Sequence, residues 1–135
     1  MSQKRYFNLE EANAQLCDLT DRFNLVIQLR ARCKTLREQL YSAGFAATSA
    51  TTTPEARDQI KRKQILLYGL DQVLKEELRS IRALGCEIKD IDQGLVDWPA
   101  IHGSTEIRLC WQYGEGEIRY WQNLNNIRRP ISELQ

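Results

Sequence analysis

Apolar residues in the first part of the chain recur at intervals of three and four. Leu9 and Ala12, Leu16 and Leu19, Phe23 and Val26, Leu29 and Cys33, and Leu36 and Leu40 pair in succession. With one slip near Val26, they draw a single buried stripe along a long helix. Asn8 stands where an N-cap belongs and Glu11 follows three residues on, so a capping box should start the helix and Phe7 can staple onto its first turn. The pattern predicts a helix over 8–41, roughly 50 Å long at about 1.5 Å per residue. Residues 42–53, SAGFAATSATTT, are small, polar and β-branched without a period, and predict a loop. Thr53-Pro54-Glu55 restarts a helix as cap, first-turn proline and dipole-matched acid. Its stripe runs through Ile60, Leu67, Leu70, Leu74, Leu78, Ile81 and Leu84, widened by Leu66 and Val73. Gly85 ends it, which predicts a second helix over 54–84.

Beyond Gly85 the period changes from three-and-four to two. Cys86, Ile88 and Asp90 alternate with Glu87, Lys89 and Ile91, as in a half-exposed strand, and Asp92-Gln93-Gly94 reads as a turn. Leu95-Val96 resumes extended chain, and Pro99 keeps Trp98 out of helix. The clearest strand is 105–113: Ile107, Leu109, Trp111 and Tyr113 share one face, and Glu106, Arg108, Cys110 and Gln112 the other. Gly114-Glu115-Gly116 turns the chain, Ile118 to Trp121 returns as a strand, and 122–135 carries no pattern and reads as an irregular tail. The prediction is an α+β protein: a long antiparallel, coiled-coil-like helical hairpin with a small C-terminal antiparallel β-sheet over 86–121, three-stranded and covered by the helices.

A two-helix hairpin buries only the seam between its members, and the stripe on the second helix is wider than one seam needs. A homodimer whose hairpins form a four-helix bundle would cover the surplus. The length, 135 residues, fits one domain. Hydrophobic residues at 42% and charged residues at 27% provide a packed core rather than disorder. The net charge of +1 gives no global pull toward nucleic acid or anionic lipid. It is unevenly spread, the helical part mildly basic and the C-terminal part mildly acidic. Two basic clusters (Arg57, Lys61, Arg62, Lys63 and Arg30, Arg32, Lys34, Arg37) lack interleaved aromatics and a nucleic-acid motif, and read as solvated helix surface. No apolar run approaches the ~18 residues needed to span a bilayer. The N-terminus has no apolar core of a secretory signal. Cys17, Cys33, Cys86 and Cys110 are far apart without C-x-x-C spacing, as expected of reduced thiols in the cytoplasm.

Chemistry concentrates between Gly85 and Arg129. The candidate ligand-binding residues are Asp97, Trp98, Trp111, Glu115, Glu117, Trp121, Gln122 and Arg129, with Asp90, Asp92, His102 and Arg128 beside them. The tryptophans offer flat apolar walls and Asp97 or Arg129 a polar anchor; the plainer reading is that the tryptophans are core. Asp97, Glu115 and Glu117 are hard oxygen donors that could meet at strand ends, but a single histidine is a poor start for zinc, and no metal is assigned. The chain has no P-loop, no G-x-S-x-G and no H-E-x-x-H, so no catalytic residue and no cofactor is assigned, and whether it is an enzyme is left open.

Arg5-Tyr6-Phe7-Asn8-Leu9-Glu10-Glu11-Ala12-Asn13, then GCEIKDIDQGLVDWPA (85–100), LCWQYGEGEIRYW (109–121) and Arg128-Arg129-Pro130-Ile131 together resemble domain of unknown function family 2203. The resemblance covers the start of the first helix and nearly all of 85–131, and implies a shared C-terminal functional patch but no reaction. Family members often carry a histidine directly after the Tyr-Trp pair. This chain has Gln122 there, a weak metal ligand, which weakens any metal role at that position. Asn125-Asn126-Ile127 also replaces a glycine-rich approach to the arginine pair. The leading expectation is a non-enzymatic interaction or scaffold protein that self-associates through its helices or binds an unidentified protein partner. The alternative is a small-ligand- or metal-binding protein, enzymatic or not, with its site in 90–129.

Overall fold

The computed structural model describes residues 5–47 and 53–134. Helices α1 (Leu9–Ala14), α2 (Leu16–Ala47) and α3 (Pro54–Ala83) precede strands β1 (Glu87–Asp90), β2 (Leu95–His102), β3 (Thr105–Gln112), β4 (Tyr120–Gln122) and β5 (Arg128–Pro130), and a 3-10 turn closes the chain at Ile131–Leu134. The fold is α+β, a helical hairpin followed by an antiparallel sheet in the simple order β1-β2-β3-β4-β5. No described helix is long and apolar enough to cross a membrane.

The helix starts follow their caps. Asn8 Oδ1 accepts from Glu11 N at 2.7 Å and Asn8 N donates to Glu11 Oε1 at 3.0 Å, which completes the capping box. Thr53 Oγ1 accepts from Ala56 N at 3.1 Å ahead of Pro54. The first helix differs from expectation at both ends of its run. It is divided at Gln15, whose amide turns back to Ala12 O at 3.1 Å, because the Gln15 side chain is used elsewhere: Nε2 donates to Leu84 O at 3.0 Å and Oε1 accepts from Trp98 Nε1 at 2.8 Å. It also continues six residues past Tyr41, to Ala47, where three alanines favour helix over the adjoining serine and glycine. Of the loop expected over 42–53, residues 48–52 lie outside the described residues. Gly85 ends the second helical run at φ +101°.

The chain divides into two compact units, Leu25–Leu78 and the flanking Met1–Asn24 with Arg79–Gln135. In the first, α2 and α3 run antiparallel, with Val26, Leu29, Cys33 and Leu36 buried on α2 and Leu74 on α3. Asp71 bridges Arg37 on the facing helix at 3.3 Å and Lys75 at 3.5 Å. Leu67, Leu70 and Leu78 are half-buried, and Leu66 and Val73, the positions that widened the stripe, are exposed.

In the second unit one face of the sheet forms the core. The register pairs Val96 with Trp111, Trp98 with Leu109 and Ala100 with Ile107, and directly opposed residues share a face. These six are buried, together with Phe7, Leu16, Leu19, Phe23 and Ile81 from the helical side. Phe23 meets Trp111 edge-on at 6.2 Å. Each indole N–H finds an acceptor: Trp98 on Gln15, Trp111 on Glu115 O at 2.8 Å and Trp121 on Pro130 O at 3.1 Å. Pro99 is tolerated inside β2 because β1 pairs only with Leu95 to Asp97; past it, Pro99 O accepts from Phe7 N at 2.8 Å instead.

The sheet has five strands rather than the three expected, and the tail is not irregular. Asn123 Oδ1 accepts from Asn125 N at 2.9 Å and Ile127 N at 3.1 Å, and Asn126 takes the left-handed conformation at φ +60°, which asparagine tolerates. That turn brings Arg128 opposite Gln122, Arg129 opposite Trp121 and Pro130 opposite Tyr120.

Candidate functional site

Strand alternation sends every second residue to the face opposite the core. On that face the register aligns Glu87 with Asp97, Asp97 with Cys110, Cys110 with Tyr120, Arg108 with Gln122, and Gln122 with Arg128. Five strands therefore each contribute to one polar surface.

At its centre Asp97 is 2% exposed, the only buried charged side chain among the described residues. A bare carboxylate in such a position would be expensive, and it persists where partners satisfy it. Arg108 Nη1 donates to Asp97 Oδ1 and to Glu87 Oε2, both at 2.9 Å. Lys89 Nζ lies 3.0 Å from Glu87 Oε2 and 3.8 Å from Asp97 Oδ2. Two acids and two bases thus alternate, which removes the repulsion that the directly opposed Glu87 and Asp97 would otherwise feel. Burial still pushes the Asp97 carboxyl above its ordinary value, against the pull of Arg108 and Lys89. Burial alone would lower Arg108, but the hydrogen bond and charge of Asp97 outweigh it and hold the guanidinium up. The hydrogen bond from Lys89 and the charge of Arg108 lower Glu87.

Beside this cluster lies a pocket of about 330 Å³, lined by Lys89, Leu95, Asp97, Cys110, Gln122, Asn126 and Arg128, with Val96 and Trp111 at its base. The two oxygens of Asp97 differ in their surroundings. Among the described residues, Oδ1 takes the Arg108 hydrogen bond, whereas Oδ2 has only Lys89, beyond hydrogen-bond distance. Among the described residues no buried side-chain nitrogen or oxygen lacks a partner, so Oδ2 is the part of Asp97 that solvent reaches, and it opens to the pocket. On the other side, the Arg128 guanidinium lies 4.0 Å above the Tyr120 ring centre, and makes no ion pair among the described residues. Gln122 and Asn126 add amides, each a donor and an acceptor. Cys110 is held as a thiol: burial, then the charge of Asp97, pushes it up to about 11. Cys86, also raised to about 11 by burial, donates to Ile81 O at 3.3 Å away from this pocket. A thiol so raised is a weak donor rather than a nucleophile at neutral pH.

The candidate residues named from the sequence are thus dispersed. Asp97 and Gln122 are in the pocket, and Trp111 lines it while its ring faces the core. Trp98 is core, tied to Gln15. Trp121 is 8% exposed on the core face, beside His102 at 6.0 Å between ring centres. Glu115 Oε1 accepts from Gln112 N at 2.7 Å and so closes the turn after β3. Glu117 is exposed, and Arg129 points to the other face and pairs with Glu133 at 3.2 Å. Asp90 caps its own turn through Gln93 N at 3.1 Å. Among the described residues no three His, Cys, Asp or Glu side chains gather as a metal-binding group. Lys89, Arg108, Cys110 and Asn126 were not singled out from the sequence. The signal in Lys89, Arg108 and Cys110 is polar character at outward strand positions, whereas Asn126 lies in the turn before β5, and only the register shows that the four converge.

Compared with protein families, the chain matches the model of DUF2203, described as an uncharacterized conserved protein, over residues 5–130. The match includes α1 to β5 and every residue of the pocket. Comparison with curated proteins and with solved structures returned no match.

Proposed function

We propose that this chain, which belongs to the DUF2203 family, is a small-ligand-binding protein whose site is the pocket on the outer face of its sheet. The observation that carries this reading is Asp97: a buried, ion-paired carboxylate with one oxygen committed to Arg108 and the other open to a pocket of about 330 Å³. A fixed acceptor in a poorly solvated site binds a donor more strongly than the same group in water. Opposite it, Arg128 offers a planar fork suited to a carboxylate or phosphate, and Gln122 and Asn126 can take the remaining polar atoms. The volume is at the small end of ligand sites. A compact metabolite with an anionic group at one end and an N–H or O–H donor at the other fits these contacts, as an amino acid or a hydroxy acid would. With Cys110 held as a thiol, the reading is of binding rather than thiolate chemistry. The free thiols Cys17, Cys33, Cys86 and Cys110 accord with a reducing compartment, and we place the protein in the cytoplasm on that ground.

The test is native mass spectrometry of protein purified from its own host, with thermal-shift screening of amino acids, hydroxy acids and small phosphates. Wild type should carry an added mass or show a shift with one class. Asp97→Asn and Arg128→Ala should each lose it while keeping a native circular-dichroism spectrum. A bare chain that responds to none of the three classes would overturn the proposal, as would binding that survives both substitutions.

A further inference from the structure

The self-association expected of the helices depends on a different surface, the outward face of α3. Most of that face is charged or amide, but near its middle stand Ile65 and Val73, exposed by 74% and 50%, with Leu66 and Tyr68, exposed by 41% and 69%, at its opposite margins. Large apolar side chains clustered on one exposed helix face mark a contact surface more often than isolated ones do. At 100° per residue, Arg62, Ile65, Gly69, Val73 and Glu76 fall within one strip on that face. Gly69 is at its centre, and a Cβ built there would meet nothing within 4 Å. Glycine in a helix interior is disfavoured relative to alanine. Here it leaves a gap in the ridge where another helix can approach closely.

We propose that a second copy of the chain docks antiparallel on α3, with the two-fold axis passing beside Gly69. The sequence of the strip is complementary to itself about that point. Reversal about residue 69 sets Ile65 against Val73 and Arg62 against Glu76, and each match occurs twice by symmetry, as an isologous interface requires. The apolar pairs lie next to the axis and the charge pairs one turn further out, so charge fixes the register and apolar contact supplies the attraction. In the monomer Arg62 reaches Asp58 at 3.0 Å, with both side chains largely exposed, and Glu76 is also engaged within its own chain; exposed contacts of this kind are worth little and can exchange for a new partner. A parallel arrangement would instead set Arg62 against Arg62 and Glu76 against Glu76. The second copy is favoured over a foreign helix because both halves of the complementary pattern lie on this one helix.

Sedimentation equilibrium on the full chain, from low to high micromolar, tests this. Wild type should approach twice the chain mass. Arg62→Glu and Glu76→Arg should each raise the dissociation constant about tenfold, and the Arg62→Glu/Glu76→Arg double variant should return it to within about threefold of wild type. Gly69→Glu, which favours the helix itself, should leave a folded monomer. All three positions are on the solvent side of α3, so circular dichroism should stay native. A wild-type chain that remains monomeric at high micromolar would overturn the proposal. A dimer indifferent to the single reversals, or not restored by the double one, would overturn the register and with it the two-fold at Gly69.

Discussion

Replacing Arg108 with methionine removes the only hydrogen-bond donor to Asp97 Oδ1 among the described residues (2.9 Å) and one partner of Glu87, while keeping an unbranched apolar stem in place of the guanidinium. Stripping one member from a buried ion pair typically costs about 3–5 kcal/mol, because the other charge stays buried without compensation. Two features soften that figure here. Lys89 remains 3.8 Å from Oδ2, and Oδ2 is open to pocket water. The expected loss at neutral pH is therefore about 2–3 kcal/mol, or a urea midpoint lower by ~1–2 M. The loss should also depend on pH. Asp97 already titrates above its ordinary value of 3.8 because of burial, and the Arg108 hydrogen bond is the largest influence holding it down. Without Arg108 it should rise further. An acid whose folded-state value is raised binds more protons folded than unfolded, so its contribution to stability falls as pH rises from the ordinary carboxylate range through the raised value. The deficit of Arg108→Met should consequently be greatest at neutral pH and shrink as the medium approaches pH ~4, where a protonated Asp97 is cheaper to bury. Glu87, lowered in part by Arg108, works in the same direction. Urea unfolding followed by circular dichroism at the two pH values measures this. In an Asp97→Asn background the same substitution should cost at least ~1 kcal/mol less, the coupling expected of groups in contact. A loss below ~0.5 kcal/mol at neutral pH, or an equal loss at both pH values, would refute the account of Asp97 as a buried charge held by Arg108.

Gly85→Ala should lower stability by about 2 kcal/mol or more, seen as a reduced thermal midpoint: φ of +101° is strained for any side chain, and the new Cβ would sit 2.5 Å from Phe7 Cζ. A variant as stable as wild type would show that the Phe7 ring gives way beside Gly85 at little cost. Under alkylation by iodoacetamide near pH 8, mapped by peptide mass spectrometry, exposed Cys17 should react first. Cys86 and Cys110, with thiols raised to about 11, should react slowly, about tenfold faster for each unit of pH gained. Equal labelling of Cys17 and Cys110 would contradict the burial assigned to the pocket thiol.

Much of the scaffold was legible in the sequence because local rules carry it. The capping box at Asn8 and Glu11, the restart at Thr53-Pro54, the stop at Gly85 and the change of period after Cys86 each depend on residues within a few positions of one another, and the structure keeps all four. Where local rules were incomplete, the determining contact came from far along the chain. Gln15 interrupts the first helix to serve Leu84 and Trp98, 69 and 83 residues away. Strand β5 is three residues long, too short for any periodicity, although the turn before it is built locally by the Asn123 side chain. By residue type the tryptophans suit ligand walls, but residue type alone cannot say which side of a strand meets a helix, and all three are buried on the core face.

The sequence by itself determined the long helices, their place before the sheet and the buried face of the strand over 105–112, since a period of two or of three-and-four is written into the spacing of apolar residues. Tertiary structure decided the pocket. Asp97, Cys110, Gln122 and Arg128 come from four strands and converge only through cross-strand register. That register is set by the turns at Gly103 and Asn126 and by the irregular pairing between Ile88 and Asp90, and a shift of one residue would send every one of those side chains to the opposite face.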